Sequence, residues 1–122
     1  MRIDKNDLLL YAVTDRQWLG EASLAEQLEE AIQAGVTVVQ LREKELDFDA
    51  FVSLGKELQA VAKRHRIPFI INDAVDVALA LDADGVHVGQ SDMQAGDVRS
   101  RIGEGKILGV SAHSVEEALA AE

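Results

Sequence analysis

The sequence predicts an α/β protein built around a parallel β-sheet. Short apolar runs alternate with segments of helical periodicity along the chain. The runs are almost entirely apolar, whereas strands with one solvated face alternate apolar and polar residues. Strands buried on both faces by helices require such runs, and a β-α-β-α order joins parallel strands through right-handed crossovers.

Five apolar runs are predicted as strands, because β-branched and aliphatic residues dominate each of them. The third follows Pro68, which ends the preceding helix and is tolerated where a strand begins. The runs are residues 8–13, 36–41, 69–71, 86–88 and 107–110.

The first helix is predicted between the first two strands. Leu24, Leu28 and Ile32 recur every four residues and so share one helical face. Ser23 begins a capping box, and Gly35 stands where a residue of left-handed conformation ends a helix.

The second helix is predicted from an N-cap at Asp47 to a point before Pro68. Shorter helical segments follow at 75–81 and 94–102, and another opens at Ser114 with a second capping box. The apolar stripe of the second helix is formed by Phe51, Leu54, Leu58 and Val61.

Two architectures fit this order of elements: a doubly wound open sheet and a (β/α)8 barrel. A barrel needs eight strands over about 200 residues or more, and five are predicted here. As a complete protein, 122 residues would suit the open sheet better. We expect one domain over residues 1–122 and leave both architectures open at this point.

The composition restricts the function classes. A formal net charge of −10, from 22 acidic and 12 basic residues, argues against nucleic acid or an anionic membrane as the main partner. The absence of cysteine excludes disulfides, thiolate metal sites and a thiol nucleophile. With no long uncharged apolar run and no secretory leader at Met1, we expect a soluble cytoplasmic protein.

The most informative segment is 40–44, Gln-Leu-Arg-Glu-Lys, which follows the second strand. Ligands of parallel α/β proteins bind beyond the carboxyl ends of the strands. The Arg42 guanidinium suits phosphate oxygens, and the Lys44 ammonium acts as a point charge. Asn72 and Ser111 follow other strands at the same rim, so the segment predicts an anion site.

Two carboxylates at this rim suggest a metal. Asp73 and Asp92 follow the third and fourth strands, and oxygen ligands without His or Cys suit a hard cation such as Mg²⁺. Each aspartate could instead cap the next helix. We expect His87 to be a core or rim histidine and Tyr11 to serve packing, with its hydroxyl at the rim.

Five ordered motifs closely resemble the thiamine phosphate synthases, a TIM-barrel family of vitamin B1 synthesis. They span essentially the whole chain: YAVTDR at 11–16, GVTVVQLREK at 35–44, IND at 71–73, ADGVHVGQSD at 83–92 and GVSAHS at 109–114.

The resemblance implies a fold, a reaction and a site. The family joins hydroxymethylpyrimidine diphosphate to a thiazole phosphate through a pyrimidine-methyl cation, releasing pyrophosphate with Mg²⁺. By motif, Arg42, Lys44 and Ser111 would be catalytic, and Asp73 and Asp92 would hold Mg²⁺. The segment that would bind the pyrimidine diphosphate comprises Gln40, Leu41, Arg42, Glu43 and Lys44, with Asn72 and Ser111.

The chain departs from the family pattern at its C-terminus. The family continues with a Gly-Pro-rich loop that contains Thr and a phosphate-contacting Lys, and then with a Gly-Gly turn that binds the thiazole phosphate. We therefore expect the N-terminal part of a (β/α)8 TIM barrel, with about five β/α units. The alternatives are a thiazole tautomerase-like barrel and a non-catalytic half-barrel. An exposed sheet edge could support a homo-oligomer or pairing with another chain.

Overall fold

The computed structural model describes residues 3–15, 23–90 and 94–122. Its centre is a five-stranded sheet in which every pair of neighbouring strands is parallel. The strands are β1 (Tyr11–Val13), β2 (Val38–Leu41), β3 (Phe69–Asn72), β4 (Gly85–Val88) and β5 (Ile107–Val110).

The order of the strands decides between the two predicted architectures. It is β1-β2-β3-β4-β5, so each strand pairs with the next one along the chain. A doubly wound sheet starts inside the sheet and reverses direction at a switch point, which gives a non-sequential order. A sequential order is that of a barrel wall, and the doubly wound alternative is wrong. The five-stranded sheet is an open part of a barrel.

Five helices connect or follow the strands. They are α1 (Leu24–Gln33), α2 (Phe48–Arg64), α3 (Val75–Leu81), α4 (Ala95–Ile102) and α5 (Val115–Ala121). The predicted N-caps are confirmed, since Ser23, Asp47 and Ser114 each accept a hydrogen bond from a first-turn backbone N–H. The capping box predicted at Ser114 is not complete, because the Glu117 carboxylate accepts from the His113 N–H at 2.6 Å. Neighbouring helices contact one another from α1 to α4, so they form a layer on one side of the sheet.

The N-terminal segment differs from the prediction. The first apolar run begins in a short 3-10 helix, Lys5–Leu8, which Asp4 caps, and only its last three residues form β1. The Thr37 hydroxyl fixes the connection, because it donates to the Asp7 carbonyl at 2.6 Å and accepts from the Leu10 amide at 3.0 Å. These bonds satisfy backbone groups that an extended strand would have paired.

The hydrophobic core lies between the sheet and the helices. Alternate strand residues face it, among them Val39, Leu41 and Ile71, and Leu28 and Leu58 pack on them from α1 and α2. The other residues of each strand face the opposite, concave side of the sheet. This alternation separates the residues that stabilise the fold from those that can meet a ligand.

Among the helices in the described ranges, none combines the length and the apolar character needed to cross a membrane.

Candidate functional site

An open cavity of about 520 Å³ lies on the concave side of the sheet, toward the carboxyl ends of the strands. It receives a side chain from every strand or from the residue that follows it, because residues two apart share a face. The lining residues are Tyr11, Val13, Gln40, Arg42, Asn72, His87 and Ser111.

Two buried amides form the floor of this cavity. Asn72 Nδ2 donates to Gln40 Oε1 at 2.7 Å, and Gln40 Nε2 donates to the Tyr11 hydroxyl at 3.0 Å. Gln40 and Asn72 are 5% and 8% exposed, so unpaired polar atoms here would be costly. Their mutual bonds hold both side chains in fixed orientations.

Lys44 reaches this floor from the loop after β2. Its Nζ lies 2.7 Å from a carboxylate oxygen of Asp73 and 3.5 Å from Asn72 Oδ1. Asp73 has the left-handed backbone conformation, with φ of 62°, and its N–H donates to the His87 carbonyl at 2.8 Å. The N-cap of α3 is Ala74, which makes no side-chain capping bond. Asp73 is therefore an ion-pair partner of Lys44, and the helix-capping alternative is wrong for it.

Arg42 supplies the second cation. Its side chain is exposed and lines the cavity, and its backbone N–H donates to the Thr14 hydroxyl at 3.0 Å. Thr14 in turn donates its own N–H to the Gln40 carbonyl at 3.0 Å. These bonds continue the β1–β2 pairing beyond the strand ends and so fix the backbone from which Arg42 projects. Two cations stand at one rim of a chain that is otherwise strongly acidic.

His87 and Ser111 meet at the other side of the cavity. His87 Nε2 lies 2.7 Å from Ser111 Oγ, so one ring nitrogen and the hydroxyl share a hydrogen bond. Burial lowers the pKa of His87, and the nearby Asp73 carboxylate acts in the opposite direction. Burial therefore favours the neutral form of the ring, and the bond to Ser111 orients the serine hydroxyl.

The structure brings most of the predicted site residues together. Leu41 is an exception, because it is fully buried in the core, and only its backbone is available to a ligand. Glu43 is half-buried and is not among the residues that line the cavity. Leu41 and Glu43 alternate with Gln40 and Arg42 along the chain, so their side chains point away from the cavity. Asp92 lies outside the described residues.

The sequence predicts the Tyr11 hydroxyl at the rim and His87 in the core or at the rim, but it does not predict that both line the cavity. Tyr11 is paired with Val38, two residues before Gln40 on β2, and His87 is paired with Asn72. Both therefore share the concave face with the two amides. The sequence indicates that side chains alternate between the two faces of each strand, but it does not indicate the register in which neighbouring strands pair.

The comparisons with known proteins identify the family. The sequence profile of thiamine monophosphate synthase matches residues 10–122, nearly the whole chain. The chain belongs to the thiamine monophosphate synthase family. The prediction of this family from five motifs is thereby confirmed.

Named relatives agree with this assignment. The thiamine-phosphate synthase of Clostridium acetobutylicum is 53% identical over 116 residues, which are 95% of this chain and 55% of that protein. The enzyme of the same name from Caldanaerobacter subterraneus is 51% identical and is covered to 54%. The chain spans about half the length of these curated relatives.

A solved structure supports the fold. The thiamine phosphate pyrophosphorylase from Pyrococcus furiosus is 38% identical and superimposes with a TM-score of 0.87, over 96% of this chain and 56% of that one. The expectation of a partial TIM-type barrel is confirmed by this likeness together with the sequential strand order.

Proposed function

We propose that the chain takes part in thiamine phosphate synthesis and forms the half of the site that binds hydroxymethylpyrimidine diphosphate. The complete reaction condenses this substrate with thiazole phosphate and releases pyrophosphate. The observation that carries the proposal is the pair of cations, Arg42 and Lys44, at the rim of the cavity of a member of this family. The guanidinium fork suits a diphosphate, and the ammonium adds a second positive charge.

The proposed roles follow from position. The concave floor of Gln40 and Asn72 offers hydrogen bonds to the heterocycle, whereas Arg42 and Lys44 take the diphosphate. A diphosphate leaves only when its developing negative charge is stabilised, and fixed cations supply this stabilisation. Ser111, oriented by His87, adds a hydroxyl donor at the same rim. The bond from the pyrimidine methylene to oxygen breaks, and a bond to the thiazole nitrogen forms.

Mg²⁺ fits the residues at this rim. Asp73 offers a carboxylate, and Mg²⁺ takes one or two carboxylates and completes its shell with water and substrate phosphate. No cluster of three or more His, Cys, Asp or Glu side chains suited to a metal occurs within residues 3–15, 23–90 and 94–122. A site in which substrate phosphate supplies part of the metal's ligands does not need such a cluster. The metal would supply further charge to the leaving diphosphate, with Asp73 and Asp92 proposed to hold it.

Calorimetry with the pyrimidine diphosphate, with and without Mg²⁺, tests this half-site. We expect binding that Mg²⁺ strengthens at least about tenfold, equivalent to roughly 1.4 kcal/mol. In Asp73→Asn the strengthening should be lost, because the carboxylate is removed while the shape is kept. Asp76→Asn on α3 is the matched control and should respond to Mg²⁺ like the unmodified chain. An undiminished response in Asp73→Asn would refute the metal assignment.

Addition of thiazole phosphate separates the remaining possibilities. Release of pyrophosphate would establish turnover by this chain. Binding of the diphosphate without release would identify a ligand-binding half-barrel, and thiazole isomerisation without diphosphate binding would favour the tautomerase alternative. We also propose that the outer edges of β1 and β5 pair with another chain.

A further inference from the structure

A continuous line of hydrogen bonds crosses the floor of the cavity. It runs from Lys44 to Asn72, from Asn72 to Gln40 and from Gln40 to Tyr11, with donor–acceptor distances of 3.5, 2.7 and 3.0 Å. It joins the loop after β2 to β3, β2 and β1 in turn. The cation of the proposed diphosphate site is thus connected to a phenol on the edge strand β1.

The direction of these bonds is determined at the lysine end. An ammonium has three N–H donors and no acceptor, whereas a carboxamide has an oxygen that accepts hydrogen bonds and an NH2 group that donates them. Asn72 must turn its oxygen to Lys44, so its NH2 faces Gln40. Gln40 must then accept with its oxygen and turn its own NH2 to Tyr11. The phenolic oxygen at the end of the line accepts, which leaves the phenolic proton free to donate elsewhere.

We propose that Lys44 sets the polarity of this relay and thereby makes Tyr11 a hydrogen-bond donor to an acceptor atom of the ligand in the cavity. Tyr11 is a specificity-determining residue in this arrangement, and Lys44 has a positioning role besides that of an anion clamp. The identity of the ligand rests on the proposed function, whereas the polarity of the relay does not.

The ammonium can fulfil both roles at once. One N–H bonds Asp73 at 2.7 Å, a second points to Asn72, and a third remains for a phosphate oxygen. Lys44 is 54% exposed on its side chain, so a ligand can reach it. An anion that binds at this rim therefore leaves the direction of the relay unchanged.

The hydrogen bond from Gln40 also affects the pKa of Tyr11. Burial raises the pKa of Tyr11, and the hydrogen bond with Gln40 acts in the opposite direction. A bond that lowers a phenol pKa is one that favours the phenolate, as a bond donated to its oxygen does. Among the described residues that line the cavity with Tyr11, Arg42 and His87 are titratable or charged.

The sequence provides a clean reporter, because Tyr11 is the only tyrosine of the chain. Its apparent pKa can be read from the ultraviolet absorbance of tyrosinate, while circular dichroism shows that the chain stays folded. In Lys44→Met, both amides can rotate and Gln40 can accept from the phenol. We expect the pKa of Tyr11 to rise by about half a unit to one unit, equivalent to losing one hydrogen bond to the phenolate.

Arg42→Met is the matched control for loss of charge. Arg42 lines the cavity that contains Tyr11, whereas Lys44 does not. Simple loss of a positive charge should therefore raise the pKa of Tyr11 at least as much in Arg42→Met as in Lys44→Met. The relay predicts the larger rise in Lys44→Met. An equal or larger rise in Arg42→Met, or none in Lys44→Met, overturns the proposal.

The same comparison can be made at neutral pH, where alkaline unfolding plays no part. The ¹³C resonance of Tyr11 Cζ in chain labelled at tyrosine is a single signal that responds to the hydrogen bonds of the phenolic oxygen. We expect it to move in Lys44→Met and to move less in Arg42→Met. The reverse order would contradict the relay.

The donor role of Tyr11 is tested with Tyr11→Phe and two ligands. Calorimetry should show affinity for the pyrimidine diphosphate reduced roughly threefold to tenfold, as expected for one lost hydrogen bond, with affinity for inorganic pyrophosphate unchanged. Equal loss for both ligands, or loss for neither, overturns the donor role. If the unmodified chain binds neither ligand, the proposed function and the donor role fail together, and the tyrosine titration still decides the polarity of the relay.

Discussion

At the scale of single residues, Gly109 determines where His87 can lie. The two residues are paired across β4 and β5, and a methyl group at position 109 would collide with His87 Nδ1. The imidazole ring therefore lies against the backbone of β5 at Gly109. In this position its Nε2 is within hydrogen-bond distance of Ser111 Oγ. A glycine in a strand weakens the strand, and here close approach by a neighbouring side chain explains its presence.

Gly109→Ala should destabilise the chain by about 1–3 kcal/mol, the usual cost of forcing a group into a packed space. It should also weaken diphosphate binding, because His87 must move away from Ser111. Urea denaturation and calorimetry measure the two effects.

The control is Gly96→Ala in α4, where an added methyl group meets open space. Alanine is the better helix former by up to about 1 kcal/mol, so this variant should be as stable as the unmodified chain or more stable. If Gly109→Ala behaved in the same way, the account of His87 would be wrong.

The sequence predicted individual residues well where their chemistry alone was sufficient. Arg42, Lys44 and Asp73 could be placed at one rim because each follows a strand within three residues. The role of Tyr11 could not be predicted, since it depends on which residue of β2 lies beside it. The role of Asp73 could not be predicted either. Whether its side chain caps α3 or pairs with Lys44 depends on the left-handed backbone conformation of Asp73, which the sequence does not indicate.

At the scale of elements, one ion pair ties the end of α3 to the start of β5. Lys106 Nζ lies 2.6 Å from a carboxylate oxygen of Asp82, the residue that ends α3 in left-handed conformation. The neighbouring Leu81 carbonyl accepts from Gln59 Nε2 of α2 at 2.9 Å. Two adjacent residues at the end of α3 are thus held by β5 and by α2.

Asp82→Asn should reduce stability slightly at neutral pH and leave it unchanged in acid. The hydrogen bond and charge of Lys106 lower the pKa of Asp82 below its ordinary 3.8. A carboxyl group with a lowered folded-state pKa stabilises the fold above its unfolded value, and this contribution is lost as the pH falls through the folded value. Asparagine tolerates the left-handed conformation, so the variant isolates the charge.

Thermal midpoints measure this difference at neutral pH and at a pH far enough below 3.8 that Asp82 is protonated in the folded chain as well. Repeating the comparison in a Lys106→Met background gives a double-mutant cycle, in which Asp82→Asn should have no effect at either pH. A stability loss that persisted in acid or in that background would show that the ion pair is not its cause.

The elements themselves follow from the sequence to different degrees. Strands β2 to β4 and helices α1 and α2 were predictable, because burial on both faces and capped amphipathic stripes leave strong patterns. The first strand was predicted too long, because Leu9 and Leu10 are apolar but lie outside β1, where they are 75% and 49% exposed. Local bonds from Asp4 and Thr37 decide that segment, and hydrophobicity does not report them.

At the scale of the whole molecule, the sheet has two outer edges within the described residues, on β1 and β5. On β1, the backbone groups of Leu10 and Thr14 bond toward β2. Alternate residues of a strand bond to opposite sides, so the N–H groups of Tyr11 and Val13 point to the outer edge. Unpaired strand edges are templates for pairing with another chain.

We expect the chain to self-associate with increasing concentration, measurable by analytical ultracentrifugation. Val13→Pro should weaken this association, since proline removes the outward N–H without breaking a bond to β2. Val13→Ala keeps the N–H and serves as the control for the lost side chain. Association that is equally strong in Val13→Pro and Val13→Ala would exclude pairing through β1.

The sequential order of the strands has a consequence for how the chain acquires its structure. Each strand finds its neighbour one β/α unit further along, with Tyr11 opposite Val38 and Gln40 opposite Ile70. Within the described residues, no strand pairs with one that lies more than one β/α unit away in the sequence. Contacts between neighbouring units close short loops and therefore form faster than contacts between distant segments. On the ribosome, this sheet can therefore lengthen one strand at a time, in the order of translation.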